Sequence, residues 1–194
     1  MIGADLEKLA GASTLWDPAS RLDAAHATAE AVVGAARQPV DEAQTERLVS
    51  LVETVGLDTL AALWRDAEPD SLPGALWALY LLRTWCKTQG AAVARWYREG
   101  RGMAPVDEVV AGVADAADPE AMARLADAVL TGAYDGDFGV ALDRAAAFFR
   151  VIAEGRLQVA DSGDDAEIEL AARNGRAAAA LRRAASAWRA GHLH

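Results

Sequence analysis

The stretch Ala75-Leu76-Trp77-Ala78-Leu79-Tyr80-Leu81-Leu82-Arg83-Thr84-Trp85-Cys86 decides the fold. Only Arg83 and Thr84 interrupt its apolar character. Ser71-Leu72-Pro73-Gly74, just upstream, is a helix start. Wound as a helix, the segment places Trp77, Leu81 and Trp85 on one face and Leu72, Leu76, Leu79 and Cys86 on another. A helix that is apolar on nearly every side belongs inside a core. Residues 75–86 are therefore expected to be the central helix of an all-α, irregular multi-helix bundle. The unbroken run from Ala75 to Leu82 is far shorter than the roughly 20 residues a bilayer span requires. No membrane insertion is expected.

Working outward from this helix, the same punctuation recurs. Asp17-Pro18 opens a helix that runs to about Arg37 along Leu22, Ala25, Ala29, Val32 and Val33. Asp41 opens a second, with Leu48, Leu51, Val52 and Val55 at helical spacing and Gly56 as its stop. Asp58 is expected to cap a short helix with the stripe Leu60, Leu63, Trp64 and Ala67. Downstream of Gly90, a segment with Val93, Trp96 and Tyr97 ends at Gly100-Arg101-Gly102. Pro105 starts the stripe Val106, Val109, Val110, Val113, and Asp118-Pro119 starts the stripe Met122, Leu125, Val129, Leu130. Asp137 caps a helix with Phe138, Leu142, Ala145, Phe149 and Ile152, expected to stop at Gly155. Residues 156–163 read as a linker, and a long helix spans about Asp164 to Arg189. Alternating strand-like runs are missing. The reading is a bundle of about seven or eight helices over residues 1–160. An acidic linker and an Ala/Arg-rich C-terminal helix follow over 161–194, packed on that bundle.

Charge and composition narrow the function. The 194 residues carry 19 basic and 29 acidic side chains, a net charge of -10. A body so acidic does not suit nucleic acid, which is bound mainly through a basic face. The single cysteine, Cys86, excludes an internal disulfide and a Cys-rich zinc module, and reads as a small buried hydrophobe. The first residues are acidic and lack the apolar run of a secretory signal, so the cytoplasm is the expected compartment. Charge is divided unevenly along the chain. Residues 171–194 hold Arg173, Arg176, Arg182, Arg183 and Arg189 with no acid, whereas residues 1–170 hold 14 basic and 29 acidic residues.

No complete catalytic motif is present. Lys87-Thr88 lacks the glycine of a phosphate loop, and the Asp-Gly stretches at 135–139 and 161–165 lack the Gly and Glu of a calcium loop. Asp23, His26 and Glu30 share a helix face, as metal ligands of helical bundles do, but no second Glu-x-x-His helix accompanies them. They read as a solvated face, and neither a metal nor another cofactor is expected.

Two constellations remain. The five C-terminal arginines are candidates for an acidic partner, against self-docking on their own acidic body. Trp77, Arg83, Trp85, Trp96 and Tyr97 are candidates for an aromatic pocket, against ordinary core packing. The first supports a non-enzymatic interaction or regulatory module, able to bind a protein partner or self-associate. The second supports a small-ligand binder or an enzyme. The C-terminal helix is expected to be peripheral, docking through Ile168, Leu170, Leu181 and Trp188. Its apolar surface is mostly alanine, so removal of residues 160–194 is expected to lower stability only modestly.

Overall fold

A computed structural model describes residues 18–37, 56–105, 107, 111, 137–160 and 164–194. Among them the chain is all-helical, with no strand. Six α-helices are seen: α1 (Pro18–Arg37), α2 (Leu57–Trp64), α3 (Leu72–Thr88), α4 (Gly90–Gly100), α5 (Phe138–Val159) and α6 (Asp165–Arg189). A single 3-10 turn, Arg101–Met103, follows α4. Six is fewer than the seven or eight expected. The helices read over 41–55 and 119–131, and most of that over 105–117, lie outside the described residues.

Local chemistry sets several of the helix ends. The Ser71 hydroxyl accepts from Gly74 N at 3.3 Å and opens α3. Asp137 Oδ1 accepts from Gly139 N at 2.8 Å and Val140 N at 3.2 Å and opens α5. Asp164 Oδ1 accepts from Glu167 N at 3.0 Å and opens α6. Each satisfies backbone donors that the first turn of a helix leaves without partners. Asp58 does not cap α2. The cap position is Gly56, and Asp58 lies in the first turn. There it accepts the Tyr80 hydroxyl at 2.8 Å, tying α2 to α3.

Among the described residues, α5 and not the segment 75–86 is the most deeply buried helix. From Phe138 to Arg156, α5 buries residues on nearly every side, many of them alanines. α4 and α6 pack along it, and α3 also touches it. α3 buries one face, Leu72, Leu76, Leu79, Leu82 and Cys86, and leaves Leu81 41% exposed with Trp77 half-buried. The reason is the size of the residues. Small side chains on most faces of α5 let α4 and α6 lie close along it, whereas α3 touches all five other described helices but keeps Trp77, Tyr80 and Trp85 only partly buried against the core.

A glycine pair fixes the α4–α5 crossing. The two helices run antiparallel here: Gly155 sits against the Trp96 carbonyl, and Gly100 against the Val151 carbonyl. A Cβ on Gly155 would overlap that carbonyl and stand 3.0 Å from Trp96 Cα. A Cβ on Gly100 would stand 2.6 Å from Gly155 N. Gly155 is therefore a packing residue inside α5 and not its stop. The helix continues to Val159, so residues 156–159 are helical rather than linker.

On the other side of α5, α6 contributes Ala178, Leu181, Ala184 and Ala185 to the same apolar core. Trp188 meets Phe138 edge-on, with ring centroids 4.8 Å apart. The C-terminal tail folds back, and Leu72 N donates to the His194 carbonyl at 2.8 Å. Two of the four expected docking residues do not dock: Ile168 is 46% and Leu170 38% exposed. They flank the inward stripe Glu167, Ala171, Asn174, Ala178, Leu181 rather than lying on it. No helix among the described residues is long and apolar enough to cross a membrane.

Candidate functional site

Because α5 runs past Gly155, the next position of its inward stripe falls inside the protein. That position is Arg156. Phe149, Ile152 and Arg156 follow at i, i+3 and i+7, one face of the helix. Arg156 is only 5% exposed, the one charged residue in the buried set of described residues. Burying a guanidinium is costly unless its charge and donors are met.

Three groups surround it. Its Cζ lies 3.5 Å from the centroid of the Trp96 ring on α4 and 5.3 Å from that of Trp85 on α3. Both lie within the range at which an indole face attracts a cation. Its Nη1 donates to Glu167 Oε2 at 2.5 Å, across the turn to the first residues of α6. The Glu167 side chain is 24% exposed. The buried Nε–H of Arg156 has no acceptor among the described residues. The aromatic wall continues from Trp85 to Trp96, with centroids 5.6 Å apart, and to Phe149 at 6.3 Å. Trp85 Nε1 donates to Gln89 Oε1 at 3.2 Å, which orients the first indole. The arrangement is a planar cation held against aromatic faces, with its fork partly used by one carboxylate. Chemically it can hold an anion of carboxylate size.

Of the five pocket residues read from the sequence, Trp85 and Trp96 meet at this cluster. Trp77 instead stacks on Tyr80, with centroids 5.4 Å apart. Tyr97 is fully buried and its ring lies 5.3 Å from that of Phe148. Arg83 is half-buried on α3, near enough to Tyr80 to act on its phenol. The Asp58 carboxylate that accepts this phenol, rather than Arg83, dominates its titration and pushes it above the ordinary tyrosine range. Reading Gly155 as a helix stop hides Arg156 in the sequence. The signal was the stripe itself, which continues in register to position 156.

The five C-terminal arginines each face an acid of their own chain. Arg173 Nε and Arg176 Nη2 both reach Glu169 Oε1, at 3.2 and 2.9 Å, within α6. Together they hold the Glu169 carboxyl below its ordinary value, Arg176 more than Arg173. Arg183 Nε donates to Asp70 Oδ2 at 2.9 Å and lowers that carboxyl likewise. Arg182 pairs with Asp107, and Arg189 with Asp143 on α5. Most of these side chains are well exposed to solvent, whose screening keeps the pairs weak. They divide α6 in two. Arg182, Arg183 and Arg189 reach other parts of the body, whereas among the described residues Arg173 and Arg176 pair within their own helix.

Asp23, His26 and Glu30 lie on α1, the carboxylates exposed and His26 half-buried. Among the described residues, no three His, Cys, Asp or Glu side chains come together in a group fit to hold a metal ion. Cys86 is buried. No known family model, curated protein or solved structure matches the chain.

Proposed function

We propose that the chain is a non-enzymatic helical interaction module and that the first half of α6 is its partner-facing element. One observation carries this reading. Residues 165–176 bury only Ala171 and present Ile168 and Leu170 to solvent, while the remainder of α6 buries Ala178, Ala180, Leu181, Ala184 and Ala185. One helix thus has an anchored half and a displayed half. The displayed half joins two large aliphatic side chains to Arg173 and Arg176, whose side chains are 66% and 64% exposed. Ile168 and Leu170 stand on opposite flanks of the inward stripe, with the arginines on the outward face between them, and exposed apolar area together with arginine is what protein interfaces use. The partner this suits is a protein presenting an apolar patch bordered by carboxylates, which would compete with Glu169 for the two guanidinium groups.

The test is site-specific photo-crosslinking in the native cell. A photoreactive residue is placed at 168 or 170, and in control chains at Leu22 or Val140, which are equally exposed aliphatic positions. Discrete adducts from positions 168 and 170, lost when Arg173 and Arg176 are both changed to Glu, are the expected result. Equal labelling from all four positions contradicts the reading.

A further inference from the structure

We propose that Arg156 is a receptor for a small organic carboxylate and that Glu167 is the internal occupant of that receptor in the free protein. This concerns the buried arginine and does not depend on the interaction surface.

The two halves of the ion pair are held very differently. Arg156 projects from α5, one residue past the glycine that locks that helix onto α4, and its guanidinium lies against Trp96 and Trp85. It is fixed in place. Glu167 sits in the first turn of α6, three residues beyond the cap Asp164, on the half of the helix that buries only Ala171. Segments with few buried contacts open locally at low cost. Glu167 is therefore the member that moves, and its departure would leave a preformed cationic fork with indole faces around it.

The fork is not saturated. A guanidinium offers five N–H donors. The buried Nε–H has no acceptor among the described residues, and a single bond to one oxygen of Glu167 is made through Nη1. A buried donor left unmet is a standing cost, and a ligand that engages Nε and an adjacent Nη together would relieve it. The two oxygens of a carboxylate match that edge of the fork.

Three features select a monoanion with an apolar body over phosphate. The present occupant is itself a carboxylate. One arginine supplies a single positive charge, within a chain of net charge -10 that disfavours a dianion. The surroundings are half-buried indole, Trp85 and Trp96, with the Phe149 ring against Trp85. An aromatic or branched aliphatic acid fits this setting.

Benzoate titrated into the full chain, with tryptophan fluorescence and melting temperature as readouts, tests the proposal. Benzamide, its neutral isostere, and inorganic phosphate are run alongside. The expected result is a saturable fluorescence change and a rise in melting temperature with benzoate, and neither with benzamide. Glu167→Gln removes the competing charge while keeping the shape. If Glu167 leaves the fork free about a tenth of the time, benzoate should bind that variant about tenfold more tightly. Arg156→Gln should abolish the response. Arg156→Lys, which keeps the charge and loses the fork, should weaken it, and it serves where the Gln variant does not fold. A wild-type chain that ignores benzoate up to its solubility overturns the proposal, even if Glu167→Gln responds, since that site would be created by the substitution. Equal responses to benzamide, or an unchanged response in Arg156→Lys, overturn it too. Tighter binding of phosphate than of benzoate overturns the carboxylate assignment.

Discussion

Gly155→Ala should destabilise the protein by more than about 3 kcal/mol, at or beyond the upper end of what overpacking a core usually costs. The added methyl meets the backbone of Trp96, a carbonyl in the middle of α4, and not the end of a flexible side chain. Nothing can rotate away, so the two helices must separate. Separation also draws Gly100 off the Val151 carbonyl and parts Trp96 from Arg156, because one crossing holds all of these contacts. Gly175→Ala is the control. A Cβ there meets nothing within 4 Å, and Ala is favoured over Gly inside a helix by about 1 kcal/mol. Urea denaturation of the two variants should move in opposite directions. A Gly155→Ala midpoint close to wild type would mean that α4 and α5 do not cross at this point.

Deleting residues 177–194 should abolish cooperative folding. That segment contributes Leu181, Ala178, Ala184 and Ala185 to the shared core, covers Phe138 with Trp188, and ends on Leu72. Leu181→Ala tests the same point more gently and should cost about 2–5 kcal/mol, the range for a core leucine. The alanine-rich face had suggested weak docking, with little lost on truncation. That estimate weighed only the area of the alanines themselves. Small residues bring two helices close, so that the larger side chains opposite, Phe138 and Leu142 among them, are covered as well. Melting monitored by circular dichroism gives the answer. A truncated chain with a sharp transition only a few degrees lower would show that α6 is peripheral after all.

The fold was legible wherever local chemistry decides it. The start at Ser71 and the cap at Asp137 were legible because a short polar side chain before an apolar stripe meets the free backbone donors of the first turn, whereas Asp58, in a like position, instead accepts the Tyr80 hydroxyl. The buried face of α3 likewise follows from its periodicity. What could not be read was which helix is buried most deeply. Hydrophobic content points to residues 75–86, but depth of burial depends on how closely neighbours can approach, and this favours the smaller residues of α5. The same limit hid Arg156. A glycine after an apolar stripe marks a helix end in one setting and a close crossing in another, and only the partner helix distinguishes them. Trp85 and Trp96 were legible as aromatic candidates. Their convergence on a buried cation was not, since it requires α3, α4 and α5 to meet at one point.

The central claim is that Arg156 is held in the interior against Trp96, with Trp85 beside it and Glu167 as its acceptor. The most direct measurement is the side-chain 1H–15N spectrum of the arginine Nε–H groups. One of the seventeen signals should stand apart, shifted upfield by the indole ring current and slow to exchange with water, and should disappear in Arg156→Lys. In Trp96→Leu it should move back toward the others. Seventeen overlapping signals that all exchange freely with solvent would contradict the account.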